Sequence, residues 1–394
     1  MLEIARRLDD AGYEAWCVGG ALRDALLGGA QADFDLATSA TPEMVQRLFP
    51  RRTVAVGLRF GTVGVLDGRR VLHEVTTFRK DVETDGRHAV VAYGVALEDD
   101  LARRDFTINA LAYHPLRAEW RDPFDGAADL ARGLVRAVGE PATRFREDYL
   151  RILRALRFAA RFGFTIEPAT WDAARTLAPG LERLSAERVR DEWFKGLRTA
   201  QSVAAFVGLW QASGAAARWV PELRSETEVR GFAGLGAVPP GAPRDPVLLT
   251  VLLTIDPVRV LRRLRASNDE VQRAAAVVAA PAEPTVGGAT SDAAVRRWLA
   301  AAGPAADDLA ALDVLRRGAP APWMPAVAAI RARGEPLSRR ELAVTGSDLQ
   351  AIGVPRGPAL GRLLDELLEV VLEHPELNTR EALLARAREA AGPR

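Results

Sequence analysis

Residues 13–37 read YEAWCVGGALRDALLGGAQADFDLA, and the fold of the first third of the chain follows from their pattern. Apolar residues ahead of two glycines predict a strand at 13–18, with a helix after Gly20 and a second strand at 34–37. The glycines leave backbone N–H groups exposed at the start of that helix, where a phosphate can bind, and Arg23 lies one turn inside it. The stretch therefore predicts a mixed α/β unit with an anion site at a strand-to-helix turn.

Asp33 and Asp35 lie two residues apart where the second of these strands begins. Side chains alternate between the two faces of a strand, so both carboxylates should point to one face. Carboxylates at this spacing repel each other unless a cation lies between them, and a pair of Mg²⁺ ions would remove that repulsion. Taken alone, the two glycines could form a plain turn, and Asp33 and Asp35 could belong to a solvated edge strand. These interpretations do not explain why both motifs occur together in a strand-helix-strand pattern.

The composition is typical of a folded protein of several domains, since 48% of the 394 residues are apolar and 27% are charged. No stretch approaches the roughly 18 uninterrupted apolar residues of a membrane helix, and acidic residues interrupt the beginning of the chain. A single cysteine excludes a disulfide framework, and four scattered histidines exclude a Cys/His zinc site. We expect a cytoplasmic protein without a membrane partner.

Basic residues are concentrated in the middle of the chain. Residues 1–140 hold 18 basic and 22 acidic side chains, residues 141–200 hold 12 and 8, and residues 201–394 hold 23 and 22. Almost all of the basic residues are arginines, which pair with phosphate through two parallel hydrogen bonds. The distribution is compatible with an enzyme that binds nucleotides and a polyanion.

The secondary-structure signals change along the chain. Strands rich in β-branched residues and separated by glycines continue to about residue 115, which predicts an antiparallel-rich sheet. From residue 141 onward, apolar residues recur every three or four positions, which predicts helices, including an amphipathic helix at 360–372. Loops are expected at 225–246 and 280–292, where glycine and proline accumulate. The fold class is therefore α+β, with a small mixed α/β head followed by helices.

The Gly-Gly-x-x-Arg-Asp and Asp-x-Asp motifs resemble the catalytic head of the polymerase-beta superfamily. Within it, the chain resembles the class II tRNA nucleotidyltransferases, or CCA-adding enzymes, and the bacterial poly(A) polymerases. Further motifs that match this family are RRDFTINA at 103–110, DPFDG at 122–126, EDYLR at 147–151, SAER at 185–188 and VTGSDL at 344–349. The resemblance implies that Asp33 and Asp35 are catalytic residues that bind two Mg²⁺ ions. It also implies that Gly20, Arg23 and Arg104 bind the nucleotide.

Asp148 and Arg151 are the residues expected to select the base. Their spacing of three would place them on one helical face, with an acceptor beside a fork of donors. Such a pair complements the Watson–Crick edges of both cytosine and adenine, whereas guanine and uracil present the opposite arrangement. Arg154 and Arg157 continue the face, where they could hold phosphate or tune the pair. An ordinary salt bridge on a solvated helix is the alternative interpretation of the segment taken alone.

The resemblance implies four domains. These are a nucleotidyltransferase head at 1–138, a neck with the nucleotide-selecting helices at 139–200, a helical body at 201–335 and a helical tail at 336–394. In the family, the body and tail bind the acceptor stem and elbow of tRNA by shape and phosphate contacts. The implied partners are therefore tRNA, CTP and ATP.

The implied reaction is addition of CCA to the 3′ end of tRNA from CTP and ATP, with release of pyrophosphate. The loop at 81–95 is altered, because Thr84 and Ala89 stand where the family commonly has an aromatic residue and a proline. Addition of A alone therefore stays open, as do CC addition and poly(A) synthesis. Whether Glu74 is a third carboxylate also stays open. A catalytically inactive RNA-binding module and an enzyme that modifies small molecules fit the motifs less well.

Overall fold

The computed structural model describes residues 1–29, 34–84, 89–237, 244–281, 283–284 and 291–391. Two compact units make up the chain. The first comprises Met1–Val229, Pro240–Pro246 and Arg263–Arg265, and the second comprises Arg230–Pro239, Val247–Arg262 and Ala266–Arg394. The division into head, neck, body and tail stays a prediction. Within the described ranges, no helix is both long enough and apolar enough to cross a membrane.

Eleven strands lie within the described residues, and they are β1 (Ala15–Val18), β2 (Asp35–Thr38), β3 (Thr53–Gly57), β4 (Thr62–Leu66), β5 (Leu72–Thr77), β6 (Arg79–Thr84), β7 (Ala89–Tyr93), β8 (Ala112–His114), β9 (Glu119–Arg121), β10 (Leu134–Val135) and β11 (Thr165–Ile166). The helices of residues 1–237 are α1 (Leu2–Asp10), α2 (Gly20–Leu26), α3 (Pro42–Leu48), α4 (Leu97–Ala102), α5 (Gly126–Arg132), α6 (Pro141–Glu147), α7 (Leu150–Phe162), α8 (Pro168–Leu177), α9 (Ala186–Thr199), α10 (Val203–Ser213), α11 (Ala215–Trp219), α12 (Glu226–Arg230) and α13 (Ala233–Ala237). The remaining helices are α14 (Pro246–Leu253), α15 (Pro257–Arg263), α16 (Asn268–Ala279), α17 (Asp292–Ala302), α18 (Ala306–Arg317), α19 (Met324–Ala332), α20 (Gly346–Ala351), α21 (Pro358–Glu373) and α22 (Arg380–Ala391).

A seven-stranded sheet forms the centre of the first unit, in the order β3-β4-β5-β2-β1-β8-β9. Every neighbouring pair is antiparallel except β2 and β5, which are parallel. The expected α+β fold with an antiparallel-rich sheet is confirmed. The register pairs Asp35 with Val18, the residue that precedes the glycine turn. Pairing of β1 with β2 therefore brings the Asp-x-Asp segment to the Gly-Gly segment.

Both faces of this sheet are covered, because successive side chains on β1 and β2 point to opposite sides. Cys17 and Leu36 pack on one face, together with Ile4 of α1 and Phe49, the residue that follows α3. The other face carries a second buried cluster, which consists of Trp16, Val18, Ala37, Phe78, Leu97, Leu101, Ala110, Ala112 and Val138. The sheet is thus held between two apolar layers, and this fixes the strand ends that carry polar residues.

In the second unit, two apolar cores are formed by helices. The first core is built around Trp298 and Trp323, whose ring centroids are 4.8 Å apart. The second core surrounds Leu367 on α21, and this helix confirms the amphipathic segment expected at 360–372.

The loop expected at 225–246 is wrong in part, because α12 and α13 lie within it. Val229 of α12 is buried, and Gly234 of α13 packs directly against the backbone of α18, where an added Cβ would lie 2.1 Å from the carbonyl oxygen of Val314. The glycine that indicated a loop therefore permits close packing of two helices. Part of the second expected loop, at 282 and 285–290, lies outside the described residues.

Gly196 lies in the interior of α9 beneath an aromatic cluster. The rings of Trp193, Phe206 and Trp210 are fully buried, with centroid distances between 4.8 and 5.9 Å. A Cβ at Gly196 would lie 2.1 Å from Cζ of Phe206. Close packing of α9 against α10 therefore requires glycine at this position.

We expect Gly196→Ala to lower the free energy of unfolding by about 1–3 kcal/mol, because the added methyl group overpacks the cluster. Helix propensity alone predicts the opposite sign, a gain of about 1 kcal/mol. Guanidinium denaturation followed by circular dichroism measures the change. Gly236→Ala on α13 is the matched control, since its Cβ would meet no atom within 4 Å and should not destabilise the protein. Equal stability of Gly196→Ala and the parent would show that Phe206 moves away freely.

Candidate functional site

A cavity of about 620 Å³ opens in the first unit and is lined mainly by arginines. Its walls contain nine arginines and three aspartates, together with the glycine turn. The lining residues are Gly19, Gly20, Arg23, Asp35, Arg79, Arg103, Arg104, Asp105, Asn109, Asp148, Leu150, Arg151, Arg154, Arg157, Phe158, Arg161 and Arg188. Such an excess of guanidinium groups favours a ligand with several negative charges.

The glycine turn lies beside Asp35. Gly19 precedes α2 with φ = +80°, a conformation that L side chains rarely adopt. A Cβ at Gly19 would lie 3.4 Å from Nη1 of Arg104 and 3.7 Å from Oδ2 of Asp35. Glycine therefore keeps open the space between this carboxylate and this guanidinium. Asp33 lies outside the described residues.

Arg23 forms the floor of the cavity and is only 3% exposed. Its Nη1 donates to Oδ1 of Asn109 at 2.5 Å, and its Nε donates to Oδ1 of Asp24 at 2.8 Å. The guanidinium carbon lies 4.9 and 4.8 Å from the ring centroids of Phe158 and Phe162. Burial lowers the pKa of Arg23, and Asp24 opposes this effect. Arg23 thus joins the glycine turn to the 3₁₀ turn Thr107–Asn109 and to α7.

Arg103 and Arg104 share one buried carboxylate. Oδ1 of Asp100 accepts from Arg103 at 2.7 Å, and Oδ2 accepts from Arg104 at 3.0 Å. Burial would raise the pKa of Asp100, but the two arginines lower it overall. The Nε atom of Arg104 is buried and has no hydrogen-bond partner in the part of the chain that the structure describes. This donor fits a cavity that is completed by an anionic ligand.

Asp105 is a largely buried residue of the cavity wall and was not identified from the sequence, although it lies in the RRDFTINA motif. Its Oδ2 accepts from Nε of Arg154 at 2.7 Å, and its Oδ1 accepts from Nδ2 of Asn109 and from the backbone N–H of Phe106, both at 2.9 Å. Burial alone would raise the pKa of Asp105, but Arg154 and Asn109 lower it to about 2. Asp105 is therefore ionised at neutral pH, and its carboxylate holds the guanidinium group of Arg154 in position.

Asp148 and Arg151 line the same cavity, but they do not share a helical face as expected. Asp148 ends α6 with φ = −156° and ψ = 105°, and Arg151 lies in the first turn of α7. The Asp148 carboxylate accepts from the backbone N–H of Leu150 at 3.0 Å and from Nη2 of Arg188 at 2.7 Å. The helix therefore breaks at Asp148, and Arg188 of α9 holds the carboxylate instead.

Arg151 is fixed by three acceptors. Its Nη1 donates to Oε2 of Glu147 at 2.6 Å and to the carbonyl oxygen of Arg144 at 3.0 Å. Its Nη2 donates to the carbonyl oxygen of Arg103 at 3.0 Å. A guanidinium group has five N–H donors, so these bonds leave Arg151 able to donate to a ligand.

Arg157 is held in a buried ion pair with Glu192. Its Nε donates to Oε2 of Glu192 at 2.5 Å, and the two residues are 8% and 3% exposed. Burial lowers the pKa of Arg157, and Glu192 opposes this effect. Arg157 thus contributes to the wall of the cavity while it fastens α7 to α9.

Eight of the nine residues expected in the site line this one cavity, and the ninth, Asp33, is not described. Of the lining residues that the sequence analysis missed, Arg161 could have been found by the helical spacing that continues from Arg157. Glu74 is exposed on β5, one residue before Val75, which pairs with Leu36 in the parallel register. The register thus places Glu74 next to Asp35 on the neighbouring strand. Part of the altered loop, residues 85–88, lies outside the described residues.

Comparison with known proteins relates this geometry to a family. Residues 15–136 match the family described as Poly A polymerase head domain, residues 163–226 match a probable RNA and SrmB binding site of polymerase A, and residues 329–387 match tRNA nucleotidyltransferase domain 2. The CCA-adding enzyme of Streptococcus suis strain 05ZYH33 is 41% identical over 280 residues, which are 68% of this chain and 67% of the relative. The chain belongs to the CCA-adding enzyme family.

Solved structures of CCA-adding enzymes agree with this assignment. The crystal structure of the Bacillus stearothermophilus CCA-adding enzyme in complex with CTP superposes with a TM-score of 0.82 at 33% identity, over 99% of this chain and 96% of that chain. The Thermotoga maritima CCA-adding enzyme, solved with tRNA, has a TM-score of 0.68 at 19% identity, covers 99% of this chain and 94% of its own, and shares the fold.

Nucleotidyltransferases of this family generally use a divalent metal ion. The residues present fit such an ion, because an oxygen of Asp35 borders the space that Gly19 leaves open. Carboxylate oxygens are the ligands that Mg²⁺ prefers. Within the described residues, no three His, Cys, Asp or Glu side chains are grouped to hold a metal. Asp33, the second expected ligand, lies outside these residues.

The low pKa of Asp105 predicts a pH-dependent contribution to stability. Its pKa falls from an ordinary 3.8 to about 2 in the fold, so folding favours the ionised form. This preference is worth about 2 kcal/mol above about pH 4 and is lost as the pH falls towards about 2. We expect the difference in free energy of unfolding between the parent and Asp105→Asn to shrink by about 1 kcal/mol between pH 6 and pH 3. Urea denaturation at both pH values measures it, with Asp10→Asn, at an exposed position of α1, as the control. A difference that does not vary with pH would contradict the role of Asp105.

Proposed function

We propose that this chain adds C, C and A to the 3′ end of tRNA from CTP and ATP, with release of pyrophosphate. The observation that carries the proposal is one cavity that combines Asp35, the base-selecting pair Asp148 and Arg151, and a wall of arginines. Its support from relatives is the similarity to the Bacillus stearothermophilus CCA-adding enzyme in complex with CTP over nearly the whole of both chains.

Asp33 and Asp35 are proposed to hold two Mg²⁺ ions. Bound there, these ions would lower the pKa of the attacking hydroxyl group and stabilise the leaving pyrophosphate. Asp35 is positioned for this role by its pairing with Val18, which places the carboxylate at the glycine turn. The exposed Glu74 is a candidate third carboxylate, because it lies beside Asp35 in the sheet.

The arginines are proposed to hold the triphosphate. Arg104 faces the space beside Gly19, and Arg154 is oriented by Asp105. Gly20 contributes backbone at the start of α2. Arg23 and Arg157 are the buried members of the wall, and they add positive charge while their hydrogen bonds fix its shape. Because their charged partners hold these groups before the nucleotide binds, little reorganisation is needed on binding.

Asp148 and Arg151 are proposed to select the base. The Asp148 carboxylate has two oxygens with about four acceptor sites, and two hydrogen bonds from the protein leave capacity for an exocyclic amino group. Arg151 can donate to a ring nitrogen or carbonyl oxygen. Cytosine and adenine both offer an amino donor next to an acceptor, so one pair can read both bases. Arg188 sets the direction of the acceptor.

The four-part division into head, neck, body and tail is part of the proposal, with the tail at 336–394 contacting the tRNA. The CCA-adding enzyme of Thermotoga maritima was solved in complex with tRNA, which supports tRNA as the partner here. We propose that contacts with the acceptor end and the elbow hold the substrate, and that the enzyme acts in the cytoplasm. Partial addition, of A alone or less favourably of CC, is the second candidate because of the altered loop at 81–95.

We expect Asp148→Ala and Arg151→Ala to relax the choice of base more than they weaken triphosphate binding. Each variant removes an edge contact worth about 1–3 kcal/mol of discrimination, which is a gain of about 5- to 150-fold in relative incorporation of GMP or UMP. Steady-state incorporation from each of the four nucleotides measures the ratios. The matched control is Arg146→Ala, an exposed arginine of α6 that does not line the cavity. If both variants exclude GTP and UTP as strictly as the parent does, Asp148 and Arg151 have a structural role and do not select the base.

Three tRNA transcripts, lacking CCA, lacking CA or lacking only A, test the product when CTP and ATP are supplied separately and together. We expect all three to reach the same full-length end with both nucleotides, because one cavity reads both bases. Asp35→Asn should abolish every extension while tRNA binding, measured by filter retention, stays nearly unchanged. Growth from only the transcript that lacks A, or arrest after two cytidines, would replace CCA addition by partial addition.

A further inference from the structure

Two aromatic side chains next to the cavity are exposed. Phe60 is 43% exposed in the 3₁₀ turn Leu58–Phe60, and Tyr93 is 39% exposed at the end of β7. Large aromatic side chains usually gain stability from burial, so exposed rings at a functional site indicate a surface used for binding. The proposed chemistry so far uses neither ring.

Arg79 connects both rings to the cavity. It lines the cavity together with Asp35, and it lies directly opposite Tyr93 in the β6–β7 hairpin, so the two side chains share one face. Nη1 of Arg79 donates to the carbonyl oxygen of Phe60, and its guanidinium carbon lies 6.0 Å from the Phe60 ring centroid. Phe60, Arg79 and Tyr93 therefore form one cluster at the wall of the cavity.

Gly61 fixes the positions of the rings. It has φ = +76°, and a Cβ there would lie 2.7 Å from Cε1 of Tyr93, so the Tyr93 ring lies over the glycine backbone. The carbonyl oxygen of Gly61 accepts from the backbone N–H of Thr77 at 2.9 Å, which ties the turn to the end of β5. The aromatic cluster is thus mounted on the central sheet.

The reaction requires a second base near Asp35. The incoming nucleotide has its base at Asp148 and Arg151, whereas the attacking hydroxyl group belongs to the last nucleotide of the RNA. That nucleotide changes after each addition, so its base must be held by contacts that tolerate any base. Stacking on aromatic rings has this property, and a neighbouring arginine adds cation–π attraction and pairs with phosphate.

We propose that Phe60 and Tyr93, with Arg79 beside them, form a stacking site for the 3′-terminal base of the acceptor RNA. The inference rests on the proposed function and names the residues that position its second substrate. The site aligns the terminal ribose with the α-phosphate of the bound nucleotide and does not read the sequence of the RNA.

The proposal is tested by removing the aromatic ring from the protein, the terminal base from the RNA, or both, and comparing the losses. Phe60→Ala and Tyr93→Ala are assayed with ATP on two tRNA transcripts that lack only A, one ending in a normal cytidine and one ending in an abasic ribose with its hydroxyl groups. With the normal transcript, we expect each variant to lose about 5- to 150-fold in kcat/KM for the RNA, the range found for stacking one base. The abasic end should cost the parent a similar factor and should cost the variants little. The KM for ATP should stay within about twofold of the parent value.

Matched variants separate stacking from folding. Trp120→Ala removes a ring that is 45% exposed on β9, at the other edge of the sheet, and should not change kcat/KM. Phe60→Trp should retain RNA use, and Phe60→Leu replaces Phe60→Ala if thermal unfolding shows that the latter does not fold. Equal losses on normal and abasic transcripts, or a rise confined to the KM for ATP, would overturn the stacking site. An inactive parent would instead overturn the proposed function.

Discussion

Nine arginines around one cavity repel one another, and neighbouring carboxylates compensate this repulsion. Asp24 binds Arg23 and Arg161, and Asp100 binds Arg103 and Arg104. The other pairs are Asp105 with Arg154, Glu147 with Arg151, Asp148 with Arg188, and Glu192 with Arg157. Because several of these carboxylates are buried, their attraction for the guanidinium groups is screened little by water. The excess positive charge can therefore remain in place before any ligand binds.

These pairs also hold the secondary-structure elements together. Arg23 links the glycine turn to Asn109 and the rings of α7, Asp105 links the segment after α4 to α7, and Glu192 links α9 to α7. Breaking a buried pair by removing one partner typically costs about 3–5 kcal/mol, since a charge is left without compensation. Substitutions at these arginines thus affect both ligand binding and stability, so activity alone does not assign a role to Arg157 or Arg23.

The exposed cluster of Phe60, Arg79 and Tyr93 differs from the rest of the wall. Arg79 donates to a backbone carbonyl group of Phe60 and lies beside the rings of Phe60 and Tyr93. A guanidinium group placed on rings favours flat, polarisable ligands as well as anions. One cavity thereby offers separate environments for a triphosphate, for a base that is read by hydrogen bonds and for a base that is held by stacking.

Local patterns in the sequence were sufficient for the α+β class and for the position of Asp35 in β2, because strand alternation and glycine turns are properties of neighbouring residues. The grouping of Gly20, Arg104 and Arg151 in one site was implied by the resemblance of their motifs to a family, and all three line one cavity. Only the tertiary structure paired Asp105 with Arg154 and Glu192 with Arg157, since the members of these pairs are 49 and 35 positions apart in the chain. It also showed that the backbone is extended at Asp148, where the helix ends, and that Arg188, 40 residues later, binds its carboxylate. Contacts between residues distant in sequence depend on packing, and a periodic pattern carries no information about which side chain approaches from another element.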